Sequence, residues 1–476
     1  MSRHRHLLSS ALGILVLSLA VAFAAWRTHS RLFIPAQPHS ATHTALSDFR
    51  DVLYYPARAA LAGVNPYDAT VDGNPNRYLN RYPVGNSFPL YSPLVLTLGL
   101  PFTPLSLGTG ALLWWLVNVA LTIVLAHVAW RWGGLSPTVS MTTLLAAAIL
   151  VSRPGLANVY FGQVTLIVTL ACLAALHFAA TRPWLGGAAL AVATLKPTFG
   201  VPLALLMLLR GDRTAAWSGL AIGFAGALAG TALLLAQGEE GTSPLAIVRA
   251  NQALTDRNPA VDPARSGSRI DAPFVVERII GPPAAAFSRA ALPLFMLTAT
   301  GLIARSAATR HRAQRRNQPF CAEHATLLLV TVAACMYHNV YDALLLVVPA
   351  VVICPWLPGA NDGRVSAWRG IAFCLLLVPF VNFGSSQQMG ELIAPLLQQA
   401  GISDSVRAAA WNGAAVASGT AVTAAWLVLL VRTARQPPAA TAIRRREPRA
   451  MCLPVKAPVP EMAASKIPAS EIEVSR

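Results

Sequence analysis

Long apolar segments are the feature of this sequence that most restricts its fold. They do not alternate apolar with polar residues, as strands of a membrane barrel would. Only 12% of the residues are charged, against about a quarter in a typical soluble domain. The sequence therefore predicts an all-α, multi-pass transmembrane helical bundle. The apolar runs lie at 7–26, 89–104, 109–130, 137–152, 163–180, 183–209, 214–236, 284–304, 323–337, 340–355, 369–386 and 409–432.

The positions of the arginines predict how this bundle is oriented. The net charge is +17, and most arginines between the runs fall on one side if the chain crosses about twelve times from a cytoplasmic N-terminus. In this topology 183–209 forms two short helices that meet at Lys196-Pro197, and the proline-rich segment 89–104 re-enters or lies along the surface. The positive charge then indicates membrane orientation, and we expect no nucleic acid partner.

The same topology defines a membrane domain, residues 1–435, with two large outer loops at 27–88 and 237–283. In the first loop, 48–62 is expected to form short surface helices, which Pro56 divides in two. Residues 436–476 are rich in proline, alanine and basic side chains and are expected to form a disordered, basic cytoplasmic tail. None of the six cysteines lies in either long loop, so no disulfide framework is expected there.

The first outer loop contains a carboxylate beside aromatic residues. Asp48 lies just beyond the first membrane helix and is followed by Tyr54 and Tyr55. A partly desolvated aspartate at that position can act as a general base toward a sugar hydroxyl. The alternative is that Asp48 only caps a helix. Farther along the loop, Asn65 and Tyr67 belong to a sequence typical of a turn.

Other polar side chains stand at the outer ends of the apolar runs. Lys196 is the only lysine outside the tail; a phosphate would compensate its charge, and the alternative is that it extends to the membrane interface. His338 and Asp342, four residues apart, could pair with each other, bind a phosphate or ligate a metal, although two ligands are a weak metal signal. Tyr91 could line an acceptor groove. Gln163, at a helix end, could donate a hydrogen bond to a sugar or phosphate; the alternative is that it only caps the helix.

Taken in order, these motifs resemble glycosyltransferase family 87, the polyprenol-phosphate-sugar-dependent membrane enzymes of the GT-C type. The matching segments are Asp48-Phe49 with Tyr54-Tyr55, Gly63-Val64-Asn65-Pro66-Tyr67-Asp68, Tyr91-Ser92-Pro93, Gly162-Gln163, Lys196-Pro197-Thr198 and Tyr341-Asp342. The resemblance implies a GT-C-like fold. It also implies transfer of mannose or a related hexose from a polyprenyl-phosphate donor to a lipid or glycan acceptor. The reaction would take place on the outer face of the inner (plasma) membrane, in one displacement that inverts the anomeric centre.

We assign candidate roles to the residues of this resemblance. Asp48 is the expected general base. The donor phosphate or sugar is expected to contact Lys196, His338, Gln163, Tyr91 and Asp342, and the acceptor or the loop itself Tyr54, Tyr55, Asn65 and Tyr67. No cofactor is expected, and the sequence does not indicate a divalent metal, although it leaves room for one. The expected partners are the lipid-linked donor, the acceptor and membrane lipid.

Two other functions are compatible with a chain of this kind. A lipid-linked glycan ligase or polymerase would use a similar substrate and would also have a large outer loop. A secondary transporter would have a comparable number of helices and charged residues within the membrane. It would, however, be expected to contain internal repeats and a binding site near the bilayer midplane. We find no repeat of fixed period in the sequence.

Overall fold

The computed structural model describes residues 2–32, 45–67, 78, 81–82, 91–236, 249, 252–253, 261–263, 265–314, 321–356 and 367–435. Within these ranges the regular secondary structure is helical and there is no strand. One isolated antiparallel bridge joins Arg269 to Asn339. The predicted disordered tail lies outside the described residues, as do large parts of both outer loops.

The predicted apolar runs form helices, and three segments between the runs contain helices that the apolar pattern did not indicate: Arg153–Phe161, Ala272–Ile280 and Gln387–Gln399. In chain order the helices are α1 Ser2–Leu32, α2 Tyr55–Leu61, α3 Leu107–Trp132, α4 Val139–Val151, α5 Arg153–Phe161, α6 Thr165–Phe178, α7 Pro183–Ala193, α8 Pro197–Arg210, α9 Arg213–Leu235, α10 Ala272–Ile280, α11 Leu292–Gln314, α12 Ala322–Cys335, α13 Val347–Ile353, α14 Ala367–Val381, α15 Gln387–Gln399 and α16 Asp404–Ala434. Short helical turns between Pro93 and Phe102 replace a continuous helix in the proline-rich segment.

Six of the described helices are long and apolar enough to cross a membrane. They cover Leu7–Leu32, Leu107–Trp132, Arg213–Leu234, Pro282–His311, Ala367–Ser385 and Asp404–Ala434. Helices α4 and α5 would add a seventh crossing if they form one broken span, bent by 74°. Six further apolar helices have 10–17 residues. The all-helical class is therefore confirmed, while twelve crossings and a GT-C-like arrangement stay predictions.

Short helices form the centre of the bundle, and the longer ones surround it. Every residue of α12 from His324 to Cys335 is buried, and so is every residue of α13. The long helices instead expose large apolar side chains such as Leu15, Phe224 and Phe295. This distribution is expected where the outer surface of the bundle faces lipid and polar groups are confined to its interior.

The break between α7 and α8 occurs where the sequence predicts it. Lys196 has an extended backbone, with φ −109° and ψ 101°, and Pro197 opens α8. Proline suits the first turn of a helix because its missing N–H has no intrahelical partner there. A Cβ on Gly200 would lie 2.6 Å from the Thr194 backbone, so glycine allows the two half-helices to approach closely. The break directs the Lys196 side chain into the bundle.

Helices are also present in the segment 48–62, but most of its residues are buried within the protein and not on its surface. One turn of π-helix, Phe49–Tyr54, continues directly into α2, which has Pro56 in its first turn. Just before it, Leu46 has φ +58°, a left-handed conformation that costs a non-glycine residue about 1–2 kcal/mol. The Leu46 amide donates to the Tyr160 carbonyl at 2.6 Å, which helps hold this conformation. Asp48 makes no side-chain capping bond.

Candidate active site

Lys196 is buried inside the bundle in an ion pair with Asp342. Its Nζ atom lies 2.6 Å from Asp342 Oδ1 and 3.0 Å from Thr165 Oγ1. The rings of Tyr341 and Phe199 also face the ammonium, with their centroids 4.6 and 5.5 Å away. The structure therefore places this charge among protein partners and does not extend it to a membrane interface.

Asp342 contacts both Lys196 and His338, the residue four positions before Asp342 in the chain. Its Oδ2 atom accepts from the Asn339 amide at 3.0 Å and lies 3.3 Å from His338 Nδ1, while Oδ1 also accepts from Thr165 Oγ1 at 3.0 Å. The bond to the Asn339 amide is half of a capping box at the start of the turn Val340–Leu346. The sequence led us to expect that Asp342 contacts the donor phosphate or sugar. Because a carboxylate repels a phosphate, Asp342 is instead suited to orienting Lys196 and His338.

His338 is completely buried, and its ring packs edge-on against Phe199 with the centroids 4.5 Å apart. The Nδ1 side of the ring faces Asp342. The Nε2 atom has no hydrogen-bond partner within the described residues. The described part of the chain contains no group of three or more His, Cys, Asp or Glu side chains that could hold a metal ion.

Asp48 is half-buried at the start of the π-helical turn. Burial and the nearby Asp51 carboxylate raise the pKa of Asp48 to about 7, although the Lys196 ammonium and the Arg50 guanidinium act in the opposite direction. Asp48, from the segment predicted to form the first outer loop, is thus within electrostatic reach of the buried Lys196. A carboxylate with a pKa near neutrality is suited to proton transfer at physiological pH.

Tyr91 and Gln163 connect two further motifs of the sequence. The Tyr91 hydroxyl donates to Gln163 Oε1 at 3.2 Å, and Gln163 is buried. Gly162, which ends α5 with φ +71°, accepts a bond from Trp114 Nε1 at 2.8 Å through its carbonyl. The Tyr67 hydroxyl donates to the Tyr91 carbonyl at 2.5 Å, so Tyr67 holds Tyr91 from the loop side.

The other loop residues have packing or turn roles in the structure. Tyr54 is almost fully buried, and its hydroxyl donates to the Leu105 carbonyl at 2.8 Å. Tyr55 packs against the Tyr54 ring at a centroid distance of 5.2 Å. Asn65 is buried and accepts from the Tyr67 amide at 3.0 Å, as the predicted turn requires. None of these contacts brings Tyr54 or Asn65 towards Lys196, so the structure gives no support for acceptor contacts by these two.

Three buried charged residues around the site were missed in the sequence. Arg269 and Asp271 form a two-pronged ion pair, with Nη2–Oδ1 at 2.6 Å and Nε–Oδ2 at 3.0 Å. Arg153 donates to Ser385 Oγ at 2.6 Å and to the Gly267 carbonyl at 2.9 Å. The sequence offered one local signal, the spacing Arg-x-Asp of Arg269 and Asp271 inside a long loop.

Comparison with known proteins assigns the chain to a family. A sequence model of glycosyltransferase family 87 matches residues 90–336, which is more than half of the chain. The matched segment includes Tyr91, Gln163 and Lys196, begins after Asp48 and ends just before His338. No curated protein and no solved structure matches the chain significantly. The chain therefore belongs to glycosyltransferase family 87, and this all-helical protein is a glycosyltransferase.

Proposed function

We propose that this enzyme transfers a hexose, mannose or a close relative, from a polyprenyl-phosphate donor to a hydroxyl group of a lipid or glycan acceptor. The reaction takes place at the outer face of the inner membrane, on a bundle that crosses about twelve times with both termini in the cytoplasm. The arrangement of the helices is GT-C-like, and no cofactor takes part.

One observation carries this proposal. A half-buried carboxylate from the first outer loop, Asp48, lies within electrostatic reach of the only lysine in the membrane domain, Lys196. Transfer from a phosphate ester needs a base and a cation, because the hydroxyl must lose a proton and the leaving phosphate gains a negative charge that must be stabilised. A transporter catalyses no transfer of a sugar, so it would not need a base next to a cation.

The proposed reaction is one displacement. The Asp48 carboxylate takes the proton of the acceptor hydroxyl as that oxygen forms a bond to the anomeric carbon. The bond between this carbon and the phosphate oxygen breaks, its electron pair remains on the polyprenyl phosphate, and the anomeric centre is inverted. Lys196 uses two of its three N–H donors in the described contacts, on Asp342 and Thr165, so the third is free for a phosphate oxygen. Tyr91 and Gln163 contact the sugar.

Transfer by purified protein tests the proposal. We expect sugar transfer from a short-chain polyprenyl-phosphate mannose, and product NMR should show the inverted anomer. Asp48→Asn, which keeps size but cannot accept the proton, should lower kcat about 10²–10⁴-fold without preventing donor binding. Asp404→Asn is the matched control, because Asp404 is highly exposed on α16 and pairs only with Arg407 in the described contacts. Transfer from a nucleotide sugar, or normal turnover by Asp48→Asn, would overturn the donor or the base, respectively.

A further inference from the structure

Residues 267–271, which we call the outer strap, bind the main chain of His338 on both sides. The Ile270 amide donates to the His338 carbonyl at 3.1 Å, and the His338 amide donates to Asp271 Oδ2 at 3.3 Å. The bridge between Arg269 and Asn339 extends this contact by one residue. The second outer loop is therefore joined directly to the backbone of the histidine that faces Asp342.

The Asp271 carboxylate is surrounded by donors. Oδ1 accepts from Arg269 Nη2 at 2.6 Å and from the Phe274 amide at 2.9 Å. Oδ2 accepts from Arg269 Nε at 3.0 Å and from the His338 amide. Asp271 is completely buried. Because both oxygens are used, this carboxylate is suited to holding neighbouring groups in place and not to contacting a substrate.

The outer strap is also fixed at its middle and at its first residue. Arg269 donates through Nη1 to the Val261 carbonyl at 2.9 Å, and its guanidinium lies 5.1 Å from the Tyr337 ring centroid. At the first residue the buried Arg153 donates to the Gly267 carbonyl. A Cβ on Gly267 would lie 2.5 Å from the Ser385 carbonyl oxygen, so the chain passes close to the helical turn Phe383–Ser385 there. Backbone held at this many points moves little.

We propose that Arg269 and Asp271 are positioning residues for the transfer reaction: they fix the main chain of His338, and through the His338–Asp342 contact they set the orientation of Lys196. This inference rests on the proposed function, because it concerns the same site. A misplacement of about 1 Å in a reacting geometry can cost about 10²-fold in rate. The second outer loop thereby contributes to catalysis without touching the substrate.

Amide hydrogen exchange of the purified full-length protein tests the holding role without any substrate. In Asp271→Asn an NH₂ group replaces one of two oxygens that both accept bonds. In either orientation it meets a donor of Arg269, together with the amide of Phe274 or of His338. We expect amide exchange in the segment 337–342 to become about tenfold faster or more. The matched control is Glu277→Gln, which removes another ion pair, with Arg289 at 2.9 Å, that has no described contact with His338. Unchanged exchange in Asp271→Asn, or equal acceleration in Glu277→Gln, would overturn the holding role.

A double-mutant cycle on kcat tests the catalytic consequence. Asp271→Asn alone should lower kcat about 10–100-fold, with the KM for a short-chain polyprenyl-phosphate sugar nearly unchanged. In the background of His338→Gln the same substitution should cost nothing further, since its effect acts through His338. If the kcat losses of the two single variants multiply in the double variant, at equal folded amounts, Asp271 has a general structural role and the inference is rejected. If wild type itself transfers nothing, the proposed function fails, and hydrogen exchange still decides whether Asp271 holds His338.

Discussion

The ammonium of Lys196 and the carboxylate of Asp342 are 2.6 Å apart, although 146 residues separate them in the chain. Both side chains are buried, so the lysine charge is balanced within the protein. Burying a charged pair has a high desolvation cost, and removing one partner leaves the other charge without compensation. A donor phosphate would therefore meet a lysine whose charge Asp342 already balances, and not an isolated cation.

The first prediction concerns the stability of this pair. Lys196→Met leaves the Asp342 carboxylate buried without its cation, which costs about 3–5 kcal/mol in comparable pairs. The double variant Lys196→Met/Asp342→Asn removes both charges and should regain most of the lost Tm while remaining inactive in transfer. Thermal unfolding and transfer assays in the same detergent measure both. A double variant that unfolds at the temperature of Lys196→Met would show that the pair is not the reason for the loss.

Replacing the same lysine by arginine separates charge from shape. Lys196→Arg keeps the positive charge, but its planar fork is wider than the compact ammonium that contacts Thr165 and Asp342. We expect a well-folded protein in which kcat is lowered about 10–150-fold, the cost of losing one bond to a charged group. Circular dichroism and transfer rates check this result. Full activity of Lys196→Arg would mean that only the charge matters.

A third prediction follows from the ionisation of Asp48. Because only the ionised carboxylate can accept a proton, kcat/KM should rise with pH and level off above about 7, the pKa of Asp48. Asp51→Asn removes a negative neighbour that raises this pKa, so the midpoint of the rise should move to lower pH. A pH–rate profile from about pH 5.5 to about pH 8.5 measures the midpoints of both proteins. A flat profile would exclude Asp48 as the base.

The same pKa predicts how stability changes with pH. Folding raises the pKa of Asp48 above its ordinary value of 3.8, so the folded state binds this proton more tightly than the unfolded state. Its contribution to stability therefore falls as pH rises through the range from about 4 to about 7. Asp48→Asn lacks this penalty and should have a higher Tm than wild type at pH 8. This difference in Tm between the two proteins should narrow toward pH 5. An equal difference at both pH values would contradict the raised pKa of Asp48.

A fifth prediction uses two glycines with positive φ. A Cβ on Gly162 would lie 3.0 Å from Leu46 Cδ2 and from Phe49 Cβ, so Gly162→Ala should displace the turn that carries Asp48. Gly63 has nearly the same φ, +70° against +71°, but nothing lies within 4 Å of its added Cβ. Both substitutions incur a conformational cost of about 1–2 kcal/mol. We expect loss of transfer in Gly162→Ala alone; equal loss in both would attribute the effect to backbone strain.

The sequence predicted the features that depend on local signals. Proline marked the break at Lys196-Pro197, because a proline ring restricts the backbone where it stands. At Pro56 the predicted division is absent: the π-helical turn passes directly into α2, which has Pro56 in its first turn. One alternative from the spacing of four residues, the pairing of His338 with Asp342, is present. His338 lies before the N-cap Asn339, however, so the two residues do not share a helix face.

Contacts between distant segments could not be predicted in this way. Apolar periodicity indicates which face of a helix is buried but does not identify its partner. It gave no indication that Asp342 would accept from Thr165 or that Asp271 would bind the His338 backbone. The same limit explains Tyr54, whose position beside Asp48 in the sequence suggested a contact with substrate. In the structure its hydroxyl turns to a carbonyl 51 residues away.

The separation of these partners along the chain has a consequence for biosynthesis. A ribosome adds about 5–20 residues per second, so the carboxylate of Asp342 follows the lysine it pairs with by about 7 to 30 s, given 146 intervening residues. The bond from Arg153 to Ser385 spans 232 residues and closes later still. The first half of the protein thus enters the membrane with a lysine and an arginine whose final partners have not yet been made. Lys196 can pair with Asp342, and Arg153 with Ser385, only after synthesis has passed those two residues, before the last two helices are made.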